Sequence, residues 1–120
     1  MTMIVDIRHW LDERGELPID NLHVRRRALR IAQLIEAGGP LERGQVRETL
    51  VACSLRPNRK QCLGLLCVEK TKDETIWAYC LSCQREEILI TGWQETMWAN
   101  GPMEPASEEM LAALQAQEVN

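Results

Sequence analysis

Five cysteines fall between positions 53 and 83 of this 120-residue chain. A cysteine can serve as nucleophile, redox partner or metal ligand, and spacing separates these roles. Cys80-Leu81-Ser82-Cys83 is a C-x-x-C pair. Two intervening residues let a tight turn aim both sulfurs at one point, about 2.3 Å from each for zinc. A closed tetrahedral site needs two more ligands, and Cys53, Cys62 and Cys67 are the candidates. Cys62 with Cys67 gives C-x4-C but puts a ligand inside the strand-like run Leu65-Leu66-Cys67-Val68-Glu69. Cys53 with Cys62 gives C-x8-C across a polar loop, with both residues at loop edges and Gly64 lending the chain freedom just after. The spacing favours Cys53, Cys62, Cys80 and Cys83 as ligands of a structural Zn2+ ion. Cys67 is then a small buried hydrophobe, and a set with Cys67 in place of Cys53 is the alternative. Iron fits the same four-sulfur geometry.

Other chemistries fit less well. A redox C-x-x-C would open a helix after a strand, whereas a strand pattern follows Cys83. Cys67-Val68-Glu69 followed by Cys80 and Cys83 imitates a zinc deaminase. Tyr79 stands where that signature has proline, and only ten residues separate Glu69 from Cys80. His9 and His23 lie far from the cysteines. Glu86 and Glu87 are adjacent, so on a strand they point to opposite faces and form no acid/base pair. No phosphate-binding glycine loop or nucleophile elbow is present in the sequence. A four-thiolate zinc has no open position for water, so the expectation is a scaffold and not an enzyme.

The elements that must position these cysteines follow from periodicity. Residues 4 to 14 read as a short amphipathic helix, with Ile7, Trp10 and Leu11 at i, i+3, i+4 and Gly15 as a stop. Asp20 or Asn21 can cap a second helix from about 22 to 37, with Ala28, Ile31, Leu34 and Ile35 on one face and Gly38-Gly39-Pro40 ending it. Residues 45 to 53 fit a short helix or a strand. Ser54 to Gln61 is a polar loop. Residues 65–69, 75–79 and 87–93 read as strands. Gly101 to Pro105 is a linker, and Ser107 can cap a last helix carrying Met110, Leu111 and Leu114.

The fold class expected is α+β: N-terminal helices packed with a small antiparallel zinc-ribbon-like sheet, plus a C-terminal helix. The parts are 1–45, helical; 46–100, zinc-ribbon-like; and 101–120, linker and helix, all within one compact domain. A chain with no Phe and four Trp has a modest core, for which a metal is a usual staple. Trp77 and Trp93 are expected to fill that core. No transmembrane-length apolar run and no signal-peptide pattern is seen, so a cytoplasmic protein is expected. In a reducing compartment clustered cysteines point to metal more than to disulfides.

Cys53-x8-Cys62-x-Gly64, then Trp77-x2-Cys80-x-x-Cys83, then Ile88, Ile90, Trp93, Thr96 and Trp98 resembles a group of small uncharacterised bacterial proteins. These carry a zinc-ribbon-like segment of the form C-R-R-R-P…C-P-G…C-x-x-C-G…I-x-x-W-x-x-T-x-W. The resemblance covers about residues 46 to 100, with an echo at Gly38-Gly39-Pro40, and implies the same four ligands, since the position of Cys67 is usually another residue in the group. Leu63 replaces the group's proline and Gln84 its glycine after the second cysteine, where glycine would ease a positive φ.

Two non-enzymatic functions follow. A protein-interaction or regulatory module suits the net charge of −4 and the Trp98 to Met103 segment, with an unknown protein partner or self-association. The alternative is a nucleic-acid-binding zinc-ribbon protein, with Arg25, Arg26, Arg27, Arg30, Arg56, Arg59 and Lys60 as phosphate contacts. Arg56, Arg59 and Lys60 could instead neutralise the dianionic zinc–thiolate centre. No membrane and no small-molecule substrate are evident.

Overall fold

The computed structural model describes residues 2–101. Six regular elements follow one another: β1 (Thr2–Asp6), α1 (Leu22–Gly38), β2 (Val46–Ala52), β3 (Leu65–Lys70), β4 (Ile76–Cys80) and β5 (Glu87–Thr91). Short 3-10 turns cover Ile7–Trp10, Pro57–Arg59 and Trp93–Glu95. The strands form one sheet in the order β1-β5-β4-β3-β2. β1 runs parallel to β5, and every other neighbouring pair is antiparallel. The fold is therefore mixed α+β, with one α-helix among the described residues.

The helix expected over residues 4 to 14 is not formed. Thr2-Met3-Ile4-Val5 instead pairs in register with β5, Val5 opposite Ile90. A run with three β-branched residues, Thr2, Ile4 and Val5, fits a pleated surface, and the pairing covers what would otherwise be an open edge of β5. The i, i+3, i+4 spacing of Ile7, Trp10 and Leu11 survives only as a single 3-10 turn, started by Asp6, whose carboxylate accepts the Arg8 N–H. The ambiguous stretch at 45 to 53 is strand β2, bulged between Glu48 and Ala52. The C-terminal helix expected from Ser107 lies outside the described residues.

Helix α1 matches its expected span. The Asn21 side chain accepts the N–H groups of His23 and Val24, satisfying donors that the first turn cannot pair internally. Its buried stripe of Ala28, Ile31, Leu34 and Ile35 lies on the sheet face made by Val5, Leu66, Val68, Ile76, Ala78, Ile88 and Ile90. A fully buried Ile or Leu contributes about 1.5–3 kcal/mol, so this seam supplies much of the drive to fold. Gly38 and Gly39 do more than end the helix. A Cβ on Gly38 would sit 2.9 Å from Ile76 Cγ2, and one on Gly39 would run into the Ala99 carbonyl oxygen. Buried Lys70 donates from Nζ to the Gly39 carbonyl and lies 4.9 Å over the Trp93 ring, tying the helix end to β3. Trp93 is buried as expected, whereas Trp77 is only half-buried, on the opposite sheet face. No described helix is long and apolar enough to cross a membrane.

Candidate metal centre

Two connections at one end of the sheet build the site. The first joins β2 to β3, with Cys53 immediately after β2 and Cys62 three residues before β3. The second joins β4 to β5, with Cys80 as the last residue of β4 and Cys83 in the turn. Antiparallel pairing of β3 with β4 sets Leu66 opposite Cys80, which brings the two connections together.

The four sulfurs of Cys53, Cys62, Cys80 and Cys83 all lie within 4.8 Å of one another. Cys53 and Cys83 approach to 3.7 Å, as do Cys62 and Cys80. Four sulfurs at the zinc–thiolate distance on a tetrahedron are about 3.8 Å apart. Two opposite edges of the cluster therefore have the length that a metal ion would impose. The donor set fits a thiophilic ion, and these four residues could hold one. They are the four that the spacing selects. Cys67 is buried on the other face of β3, opposite Tyr79, outside the cluster.

Backbone geometry forms the cradle. Gly64 accepts the Cys53 N–H through its carbonyl at 2.9 Å and directs its own N–H at Cys62 Sγ, 3.4 Å away. A Cβ on Gly64 would lie 2.6 Å from Ser82 Oγ and 2.8 Å from Cys80 Sγ. The glycine is there for close approach, and not for the chain freedom expected of it. In the second turn Gln84 donates its N–H to the Cys80 carbonyl and adopts φ 59, the left-handed value at which glycine is favoured.

A buried carboxylate backs the cluster. Glu86 accepts the Ser54 N–H at 2.6 Å, the Ser54 hydroxyl at 2.9 Å and the Cys53 thiol at 3.2 Å, all on Oε2. Its Oε1 is 2.6 Å from the Arg30 guanidinium, which also donates to the Ala52 carbonyl. Burial alone would raise the Glu86 pKa. The Ser54 N–H, the Cys53 thiol and Arg30 outweigh it and hold the carboxyl below its usual value. Burial is the main cause that pushes the Cys53 thiol up. The Arg85 N–H is the largest influence on Cys83 and helps bring its thiol down to about 7. One sulfur of the set is thus prepared as a thiolate near neutral pH, the form that binds metal.

The structure divides the basic residues. Arg30 is spent on Glu86 and Ala52, with a quarter of its side chain exposed. Arg25, Arg26 and Arg27 are exposed on α1, and Arg56, Arg59 and Lys60 are exposed on the loop between Cys53 and Cys62. It is Arg30, not the loop cations, that meets the acidic side of the centre. The role of Glu86 escaped sequence reasoning. The signal was present, because strand alternation puts residue 86 on the buried face of Ile88 and Ile90. No family model, curated protein or solved structure matches the chain.

Proposed function

We propose that this chain is a small protein-interaction or regulatory module whose fold is fastened by one structural Zn2+ ion on Cys53, Cys62, Cys80 and Cys83. The observation that carries the metal half is the 3.7 Å spacing of two opposite sulfur pairs within one four-sulfur cluster. Four protein thiolates fill a tetrahedral ion, so such an ion holds loops in place and has no position for water. The resemblance of residues 46 to 100 to small uncharacterised bacterial proteins with a zinc-ribbon-like segment points to the same four ligands. The interaction half is supported by the sheet face opposite α1, which presents Ile4, Trp77 and Leu89 with no described element over them. Metal analysis of the purified protein tests the first half: about one zinc per chain is expected, and cobalt substitution should give the charge-transfer and ligand-field bands of a tetrahedral thiolate site. Octahedral spectra, or a fold indifferent to a strong chelator, would overturn it.

A nucleic-acid reading is favoured by one specific arrangement. Arg27 and Trp10 share a cleft of about 360 Å³ with Arg30, Ile31 and Ser54, and a cation beside an aromatic ring suits a stacked base. Titration of single-stranded DNA at rising salt discriminates, because neutralised phosphates make affinity fall steeply with salt. Salt-insensitive retention of a protein partner would remove this second reading.

A further inference from the structure

The sheet has two faces, and α1 covers one. The other is defined by register. Val46, Glu69, Trp77, Leu89 and Ile4 stand side by side across all five strands. The next row carries Glu48, Cys67, Tyr79 and Glu87. An antiparallel sheet with one solvated face normally presents polar residues there. Here the centre is apolar. Ile4 is 74% exposed and Val46 51%, and the Trp77 and Tyr79 rings lie 4.5 Å apart as one aromatic plate. Among the described residues, Trp77, Tyr79 and Leu89 take no part in the buried core.

The charge in these two rows has one sign. Glu48, Glu69 and Glu87 belong to it, and no Lys or Arg occupies either row. Glu87 accepts the Trp77 indole N–H and the Thr2 hydroxyl, both at 2.9 Å, which fixes the aromatic plate. The Glu48 and Glu69 carboxylates are engaged by no hydrogen bond or ion pair among the described residues, although both backbones are paired in the sheet.

From this we infer that the sheet face opposite α1 docks a cationic amphipathic helix of a partner protein; the inference rests on the interaction-module reading above. Charge complementarity selects that occupant. A second copy meeting this face with its own would oppose glutamates with glutamates, and like charges placed directly opposite are unfavourable. The residues after Gly101 carry four Glu and no Lys or Arg, so this chain's own C-terminal segment is also like-charged. A partner that brings Leu or Ile to Trp77, Leu89 and Ile4 and Lys or Arg to Glu48 and Glu69 satisfies both features. Outer strands of a five-stranded sheet are about 19 Å apart, so a helix crossing them needs about 13 residues.

The test uses the metal-loaded full chain and two fluorescently labelled 18-residue amphipathic peptides, one Leu/Lys and one Leu/Glu with the same apolar spacing. The Leu/Lys peptide should bind and the Leu/Glu peptide should not. Glu48→Lys with Glu69→Lys should weaken the Leu/Lys peptide at least tenfold and reverse the preference. Ile4→Asp should weaken it several-fold. The equal charge change Glu13→Lys with Glu16→Lys, in the loop before α1, should leave binding unchanged. No binding by the Leu/Lys peptide, or equal weakening by both charge reversals, overturns the inference. Sedimentation showing a dimer that Ile4→Asp dissociates would place a second copy on this face, overturning the cationic partner while leaving an interaction module in place. Steeply salt-dependent DNA binding, lost when Arg25, Arg26 and Arg27 become Gln, would instead overturn the interaction-module reading itself.

Discussion

Arg30 of α1 and Glu86, the residue just before β5, meet at 2.6 Å directly behind the sulfur cluster. The pair links three parts of the fold. Arg30 also holds the Ala52 carbonyl at the end of β2, and Glu86 holds Ser54 and the Cys53 thiol. The helix is thereby fastened to the loop that carries the first cysteine. As a metal-bound thiolate Cys53 would no longer donate to Glu86, and Arg30 would be the cation at hand to offset the two neighbouring negative charges.

Removing half of this pair should therefore be expensive. Glu86→Gln keeps the shape but strips the charge that Arg30 faces, and a loss of about 2–3 kcal/mol is expected from broken charge-assisted hydrogen bonds in a buried setting. Chemical denaturation of the metal-loaded protein measures it. The same group sets a pH dependence. Its folded pKa is depressed, so its contribution is full above the unfolded value of about 4.5 and declines as pH falls below that, through the folded pKa. The acid side of the stability curve should be less steep in Glu86→Gln than in the wild type.

Gly64→Ala should damage the metal site without touching a ligand. The new Cβ would collide with Ser82 Cβ at 2.7 Å and with Cys80 Sγ at 2.8 Å, so the second turn has to move. Zinc affinity in competition with a chromophoric chelator should fall at least tenfold, the equivalent of about 1.4 kcal/mol. Adding Ser82→Gly removes two of the three contacts and should recover part of the loss.

Gln84→Gly should stabilise the protein. An L-residue in the left-handed region costs about 1–2 kcal/mol, and glycine returns part of that gain through its looser unfolded state. A net increase of about 0.5–1 kcal/mol is expected, seen as a rise in Tm of a few degrees. Gln84→Ala, which keeps the strain at φ 59, should show no such rise.

The site was more legible in the sequence than the fold around it, and for a physical reason. Ligand spacing is local: a C-x-x-C turn and a polar loop of fixed length specify where sulfurs can converge. Helix α1 was legible because its cap, stripe and glycines also lie within one stretch of chain. Strand β1 was not. Its pairing partner is more than eighty residues away, and the helical spacing of Ile7, Trp10 and Leu11 outweighed the short β-branched run before it. Glu86 and Arg30 were hidden in the same way. Each reads locally as a surface charge, and only the approach of α1 to β5 turns them into a buried pair.

The sharpest test of the ligand set contrasts two cysteines that differ in position and little in chemistry. Cys53 and Cys67 are both buried, so both would be called inert by exposure alone. Cys53 has Cys83 Sγ at 3.7 Å and a place in the four-sulfur cluster, whereas Cys67 faces away from it beside Tyr79. Cys67→Ser should keep about one zinc per chain and lose roughly 1–2 kcal/mol, since a hydroxyl is placed in a partly apolar site. Cys53→Ser should lose zinc and, with it, the cooperative unfolding transition, because metal-binding free energy is folding free energy in a domain of this size. Metal content by emission spectroscopy and near-ultraviolet circular dichroism read the two effects separately. Full zinc in Cys53→Ser together with its loss in Cys67→Ser would transfer the fourth ligand to Cys67 and require β3 to be paired differently from the register that sets Cys67 opposite Tyr79.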